Sequence, residues 1–305
     1  MMYTETPAER LFRESPPITH LHTSPLEHDV FYRTPKEKEL VLLYVAVAKK
    51  KSGCRLLAYS LMSNHFHFIL MGDEGQVNAF WHILEQLLAI YYQRHGRPGL
   101  MKQVHASKTP ITSLQQLRNE IAYVIRNSFV ARTDVHVFAD PWSSGHLYFN
   151  PLLVTEGVSA STLKGRTLRE TTCSRDLDLD PSIFIKDGKV QPWSFVDYKL
   201  VEAFYDNARQ FVHSVLKNVE AQVETASRYG EKPFLSDEEL LPIVFKLCRE
   251  RFKADGPSNL DLPDRKRLGV LLKNGYSASN KQIARVARLP IQEVNAIFPL
   301  SAKES

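Results

Sequence analysis

Two imidazoles stand one residue apart in the apolar run Leu61-Met62-Ser63-Asn64-His65-Phe66-His67-Phe68-Ile69-Leu70. Successive side chains of a strand point to opposite faces, so His65 and His67 share one face while Phe66, Phe68 and Leu70 share the other. Such a strand packs a core with one side and offers two nitrogen ligands on the other. A working site needs a third ligand and a reacting group from elsewhere. The best source is Glu120-Ile121-Ala122-Tyr123-Val124-Ile125-Arg126-Asn127. There Tyr123 and Asn127, four residues apart, lie on one face of a helix.

Bringing the two stretches together calls for a specific order of elements. Ile18-Thr19-His20-Leu21-His22-Thr23 alternates as a strand and carries a second pair, His20 and His22, before Ser24-Pro25 ends it. Thr34-Pro35 opens a helix over 36–50 with Leu40, Leu43, Tyr44 and Val47 inward, and Gly53 stops it. Residues 54–62 read as a second strand, joined to the histidine strand by the tight connection Ser63-Asn64. Apolar residues recur at helical spacing over 76–95, and 100–110 supplies a fourth strand with Lys102, His105 and Lys108. Ser113 then caps a helix over 114–129. Strand, helix, strand, strand, helix, strand is the ferredoxin-like split βαβ plan, with helices on one face of the sheet and the other face left to hold a site. Its first and third strands are neighbours, which sets His20 and His22 beside His65 and His67 as auxiliary or ligand-facing groups.

Beyond residue 150 the pattern changes. Residues 151–185 lack periodicity and read as a linker, and 186–305 as an all-helical domain, so the expected class is α+β with a site-bearing domain over 1–150. One helix is expected over 195–219, another opens at Ser236-Asp237-Glu238-Glu239, and a third over 260–274 holds Arg265-Lys266-Arg267. Residues 279–298 fit a helix-turn-helix: Ala284 permits close approach, Leu289-Pro290 breaks the first helix, and Val294 and Ile297 anchor the second. Arg285, Arg288, Gln292 and Asn295 are its candidate DNA contacts.

Bulk properties agree with this division. A chain of 305 residues favours two domains, and 43% hydrophobic residues supply ample core. A formal charge of +5 and a pI near 9.0 suit a nucleic-acid partner. Cys54, Cys173 and Cys248 are too dispersed for a disulfide framework or zinc knuckle. The first 15 residues are too polar for a signal peptide, and no apolar run reaches the roughly 18 residues of a membrane span. The expectation is a cytoplasmic, nucleoid-associated protein with no membrane partner.

His65-Phe66-His67, with Tyr123 followed four residues later by Asn127, resembles the HUH-type single-tyrosine transposases, most closely the REP-associated tyrosine transposases. Val130-Ala131-Arg132 and Pro141-Trp142-Ser143-Ser144-Gly145 look like the segment that follows the tyrosine helix in that family. Ser63 stands where the family commonly has Pro, and neither this nor Val124-Ile125-Arg126 in place of the commoner Ile-His-Leu removes a ligand or nucleophile. The resemblance implies that Tyr123 attacks phosphorus, leaving a 5′-phosphotyrosine and a free 3′-hydroxyl. It implies that His65, His67 and Asn127 hold a divalent cation, Mg²⁺ or Mn²⁺, and that the substrate is single-stranded, hairpin-forming repeat DNA. Neutral imidazole and amide ligands keep such an ion a strong Lewis acid, with Mn²⁺ the better match to imidazole.

Lys102, Lys108 and Arg126 join the helix-turn-helix residues as candidate DNA contacts. Family members work alone or as homodimers that exchange the tyrosine helix, so both states stay open. Tyr91 and Tyr92 are rival nucleophiles, Tyr91 expected to pack and Tyr92 to lie at the surface, with Arg94, His95 and Arg97 beside them as phosphate contacts. Two other readings remain: a domesticated, noncatalytic DNA-binding regulator, and an unrelated metal hydrolase built on His20, His22, His65 and His67.

Overall fold

Thr6 and Glu9 cap each other's backbone amides and start a first helix, α1 (Pro7–Glu14), where the sequence reads only as a polar leader. The computed structural model describes residues 5–26, 29–127, 137–174, 177–216, 225–226, 228–229, 235, 237–276 and 278–299. Val130-Ala131-Arg132 and the helix opening at Ser236 therefore lie outside the described residues or at their edge. The class is α+β, and the chain divides into compact units over 1–215 and 216–305.

In the first unit β1 (Ile18–Thr23), β2 (Arg55–Leu61), β3 (Phe66–Met71) and β4 (Ala106–Ile111) form an antiparallel sheet in the order β2-β3-β1-β4. Helix α2 (Pro35–Ser52) joins β1 to β2 and α3 (Glu74–Arg94) joins β3 to β4. Each begins with a reciprocal cap, Thr34 with Glu37 and Asp73 with Gln76, and α2 ends at Gly53, whose φ of 73° suits a residue without Cβ. The expected strand over 100–110 is shorter than its pattern: Leu100–Gln103 is a 3₁₀ turn, and only Ala106–Ile111 pairs with β1.

Alternation sorts the side chains of the sheet. Leu21, Leu56, Tyr59, Leu61, Phe66, Phe68 and Leu70 share a core with α2 and α3. Tyr59 can share a face with Leu56 because the β2–β3 register shifts between Leu56 and Ala58. Fully burying each of these large apolar side chains stabilises by about 1.5–3 kcal/mol.

The opposite face carries His20, His67 and Ile69, and it is not left open as the split βαβ reading expects. Helix α4 (Leu114–Asn127) packs across it against β2 and β3. The cause is visible in α4 itself: Leu117, Ile121 and Val124 form a fully buried apolar stripe that needs a partner, and Ile69 needs a cover.

The presumed linker over 151–185 is a correction as well. Val158–Ser159, Phe184–Lys186 and Lys189–Val190 form a small antiparallel sheet, and Ala160, Leu179, Ile183, Ile185 and Val190 join the same core as α2 and α3. The helix expected over 195–219 is broken. Tyr198–Ala203 and Ala208–Leu216 are separate because Asn207 accepts from the Gln210 amide and caps the second one. The compact unit thus extends to residue 215 rather than 150.

The second unit is helical among its described residues: Asp237–Phe252, Leu262–Tyr276, Asn280–Val286 and Ile291–Ile297. Leu240, Val244, Cys248, Leu268, Leu272, Ile283 and Val294 form its centre.

Pro141-Trp142-Ser143-Ser144-Gly145 covers the outer edge of β2. The Leu61 amide donates to the Trp142 carbonyl at 2.9 Å, and the Tyr59 amide donates to Ser144 Oγ at 3.1 Å. Gly145 is required there by contact, since a Cβ would stand 2.6 Å from Ile125 Cγ2 and 3.2 Å from the Val137 carbonyl oxygen. Gly145→Ala should therefore push against α4 and lower stability by about 1–3 kcal/mol, read as a reduced urea midpoint at unchanged slope.

Candidate functional site

The site lies between the second face of the sheet and α4, and each side contributes through its own periodicity. From β1 come His20 and His22, and from β3 His67, with His65 immediately before its first residue. His22 is directly opposite His67 in the β1–β3 register, and their rings stack at 6.1 Å with an interplanar angle of 13°. The His65 and His67 rings are 5.0 Å apart and near perpendicular.

From α4 come Glu120, Tyr123 and Asn127, at spacings of three and four, and therefore on one face. Asn127 Nδ2 lies 3.0 Å from His67 Nε2, and the Tyr123 ring is 5.6 Å from that of His67 and 6.3 Å from that of His20. On the other side of His67, its Nδ1 is 3.0 Å from His20 Nε2, and His20 Nδ1 is 2.9 Å from Glu120 Oε2. His20, His67 and Glu120 have no exposed surface, Tyr123 is 3% exposed, and His65 is half-buried. Buried polar groups of this kind persist only when hydrogen-bonded.

Three of the expected residues, His67, Tyr123 and Asn127, thus meet across the interface, and His65 stands beside them. Their donor set fits a divalent cation. His65 Nδ1 is 2.9 Å from Asn64 Oδ1, which only accepts, and with Nδ1 donating to it the neutral ring has its lone pair on Nε2. Asn127 presents an amide whose half-turn exchanges nitrogen for oxygen, giving two imidazole nitrogens and an amide oxygen. Among the described residues, no group of three or more His, Cys, Asp or Glu side chains is arranged to hold a metal ion. His20 and His67 turn nitrogens toward each other, which is not the arrangement that a four-histidine hydrolase needs.

The rival tyrosines belong to the other core. Tyr92 is 1% exposed rather than superficial, because its hydroxyl donates to the Phe31 carbonyl at 2.6 Å. Tyr91 donates to Glu37 Oε1 at 3.1 Å. Burial pushes both phenols above the ordinary tyrosine range. Arg97 is buried against the Tyr92 ring and donates to the Val30 carbonyl, so it is not a phosphate contact, whereas Arg94 is exposed.

Among the proposed DNA contacts, Lys102 and Lys108 are exposed, Lys108 reaching Asn78. Arg126 is a correction: it is buried, and Nη1 donates at 2.7 Å to the Val215 carbonyl in the last turn of Ala208–Leu216. A guanidinium there satisfies a carbonyl that the helix cannot and complements the negative end of its dipole. In the second unit Ser279 and Gln282 form a capping box, and Asn280 Nδ2 donates to Asn295 Oδ1 at 2.9 Å and to the Phe298 carbonyl at 2.8 Å, tying the last two helices together. Arg285 pairs with Asp237 while remaining exposed, and Arg288 and Gln292 are exposed. Val294 anchors the last helix, and Ile297 is only half-buried.

Sequence reasoning missed Glu120 as a site residue. The signal was present: Glu120, Tyr123 and Asn127 follow the i, i+3, i+7 pattern of one helical face in a stretch that is otherwise apolar apart from Arg126.

No protein-family model matches the chain, and no curated protein does. One solved structure, described as a REP-associated tyrosine transposase bound to a REP hairpin, is similar over 43% of this chain and 78% of its own. The identity is 12% and the TM-score 0.33. A likeness of that size carries no functional argument, and the site rests on its own geometry.

Arg126→Ala should cost about 1.5–3 kcal/mol of unfolding free energy, because a charged donor to a buried carbonyl is lost. Arg288 holds a left-handed φ of 54° in the turn after Val286. Arg288→Gly should raise the midpoint of thermal unfolding, by about 1 kcal/mol of relieved backbone strain, and a fall instead would show that its side chain supports the turn.

Proposed function

We propose that the first unit is a metal-dependent single-stranded DNA endonuclease and strand transferase of the HUH single-tyrosine kind, built on a ferredoxin-like core. The observation that carries this reading is the meeting of His67, Asn127 and Tyr123 across the sheet–helix interface, with Asn127 Nδ2 3.0 Å from His67 Nε2 and the Tyr123 ring 5.6 Å from the His67 ring.

In this reading the Tyr123 oxygen attacks phosphorus, and the bond from phosphorus to the 3′-oxygen breaks. The phenol loses one proton, the departing 3′-oxygen gains one, and the phosphodiester's energy is kept in a 5′-phosphotyrosine for later rejoining. His65, His67 and Asn127 would hold Mg²⁺ or Mn²⁺, which supplies positive charge for the nonbridging phosphate oxygens. Tyr123 is 3% exposed, so substrate binding must open the cover over it. The Tyr123 ring of one chain lies 5.6 Å from that chain's own His67 ring, which supports cleavage within a single chain over an exchange of helices in a homodimer.

Hairpin-forming single strands are the proposed substrate, with unpaired bases open to stacking and Lys102 and Lys108 along the backbone. In the second unit Arg288 and Gln292 are exposed on and before Ile291–Ile297, which also supports a noncatalytic DNA-binding regulator that reads duplex DNA through this helix pair.

Labelled hairpin single strands incubated with Mn²⁺ or Mg²⁺ and run on a denaturing gel separate the readings. The nuclease reading expects a protein-linked band that needs the metal and disappears in Tyr123→Phe and in His67→Ala. Persistent duplex binding without any adduct, weakened by Arg288→Ala, would move the protein to the regulator class. An adduct surviving in Tyr123→Phe would show that another tyrosine attacks.

A further inference from the structure

Glu120 is a carboxylate with no exposed surface, and its Oε2 lies 2.9 Å from Nδ1 of the equally buried His20. The connection continues from His20 Nε2 to His67 Nδ1 at 3.0 Å and from His67 Nε2 to Asn127 Nδ2 at 3.0 Å. Four side chains from β1, β3 and α4 are therefore linked end to end, and the direction of each hydrogen bond depends on the one before.

A carboxylate oxygen accepts and an Asn NH₂ donates. Starting from Glu120, His20 donates through Nδ1 and accepts at Nε2, so His67 must donate through Nδ1. Its Nε2 then carries the lone pair, where Asn127 donates to it. With His20 neutral, the Glu120 end fixes this polarity, the Asn127 amide as it stands agrees with it, and each imidazole is its Nδ1–H tautomer.

We propose that Glu120 and His20 are positioning residues: they hold His67 as the Nδ1–H tautomer, with Nε2 unprotonated and directed at Asn127. This inference rests on the proposed metal role of His65, His67 and Asn127. A neutral imidazole binds a cation only through its unprotonated nitrogen, and the bond made by the other nitrogen decides which one that is. The reverse tautomer would turn an N–H toward Asn127 and give the cation nothing to bind. His20, which by pattern alone is a rival ligand, acts here through His67 and leaves its own nitrogens to Glu120 and His67.

The test begins with the metal-free protein, labelled with ¹⁵N at histidine, in long-range ¹H–¹⁵N spectra. His67 should show a protonated Nδ1 and a bare Nε2. Mn²⁺ binding is then titrated calorimetrically in wild type, His67→Ala, His20→Leu and His20→Gln, each checked for folding by its thermal transition. His20→Leu should weaken Mn²⁺ by about 10–100-fold, and His20→Gln, which can still accept from His67 Nδ1, should recover most of that loss.

Protonated Nε2 in the wild-type protein overturns the inference, and so does folded His20→Leu with wild-type Mn²⁺ affinity. If His20→Leu does not fold, the wild-type spectrum and the Mn²⁺ affinity of His20→Gln decide, a 10-fold or greater loss in the latter counting against the inference. Mn²⁺ binding that is absent in wild type, or that survives in His67→Ala, defeats the metal reading and with it any positioning for metal. Binding lost in His67→Ala but indifferent to His20 defeats the positioning role alone.

Discussion

The cost of placing carboxylate, imidazole and amide groups between a β-sheet and a helix, away from water, is the constraint on which the first unit turns. Each such group left without a partner costs about 1–3 kcal/mol, and more when charged. Glu120, His20, His67 and Asn127 meet that cost jointly, each satisfying the next. A rotation of α4 by one residue, about 100°, would separate all of them at once. The polar series therefore sets the rotation of α4, while its apolar stripe of Leu117, Ile121 and Val124 supplies the adhesion.

Several other features become intelligible as supports for that placement. Gly145 gives Ile125 room, so α4 can lie close to the segment that covers β2. Arg126 is turned away from solvent to close the end of Ala208–Leu216, which secures the helix on its far side. Arg118 does the same one level down, donating to the Phe204 carbonyl at 2.8 Å in the break between Tyr198–Ala203 and Ala208–Leu216. The helix with the tyrosine is thus held by the sheet, by a tight glycine contact and by two arginine-to-carbonyl bonds.

Much of this was legible in the chain. Period-two alternation placed His20, His67 and the Phe66–Phe68–Leu70 set on their proper faces, and the i, i+4 spacing put Tyr123 and Asn127 together. What escaped reading has identifiable causes. Residues 151–185 build strands of two or three residues, too short for any period to register, and their contribution to the core comes from single side chains such as Ile183 and Ile185. The break at 204–207 is hidden because apolar spacing continues through it, although Asn207 followed by Gln210 is a capping signal. Tyr92 was misplaced because helical spacing cannot say how wide the buried stripe is. Its hydroxyl finds the Phe31 carbonyl in a loop that the sequence does not bring near.

The pairing of His20 with Glu120 also bears on when the molecule becomes itself. These residues are 100 positions apart in the chain, and His67 and Asn127 are 60 apart. Contacts of such span are made late, since the intervening chain must be ordered before they repay its entropy. During synthesis β1, α2, β2 and β3 leave the ribosome with their histidines exposed to water and no tyrosine opposite. The cluster closes only once residue 127 has emerged and α4 has docked. A chain that ends before residue 127 lacks the closed cluster, because Asn127 is the last residue of α4.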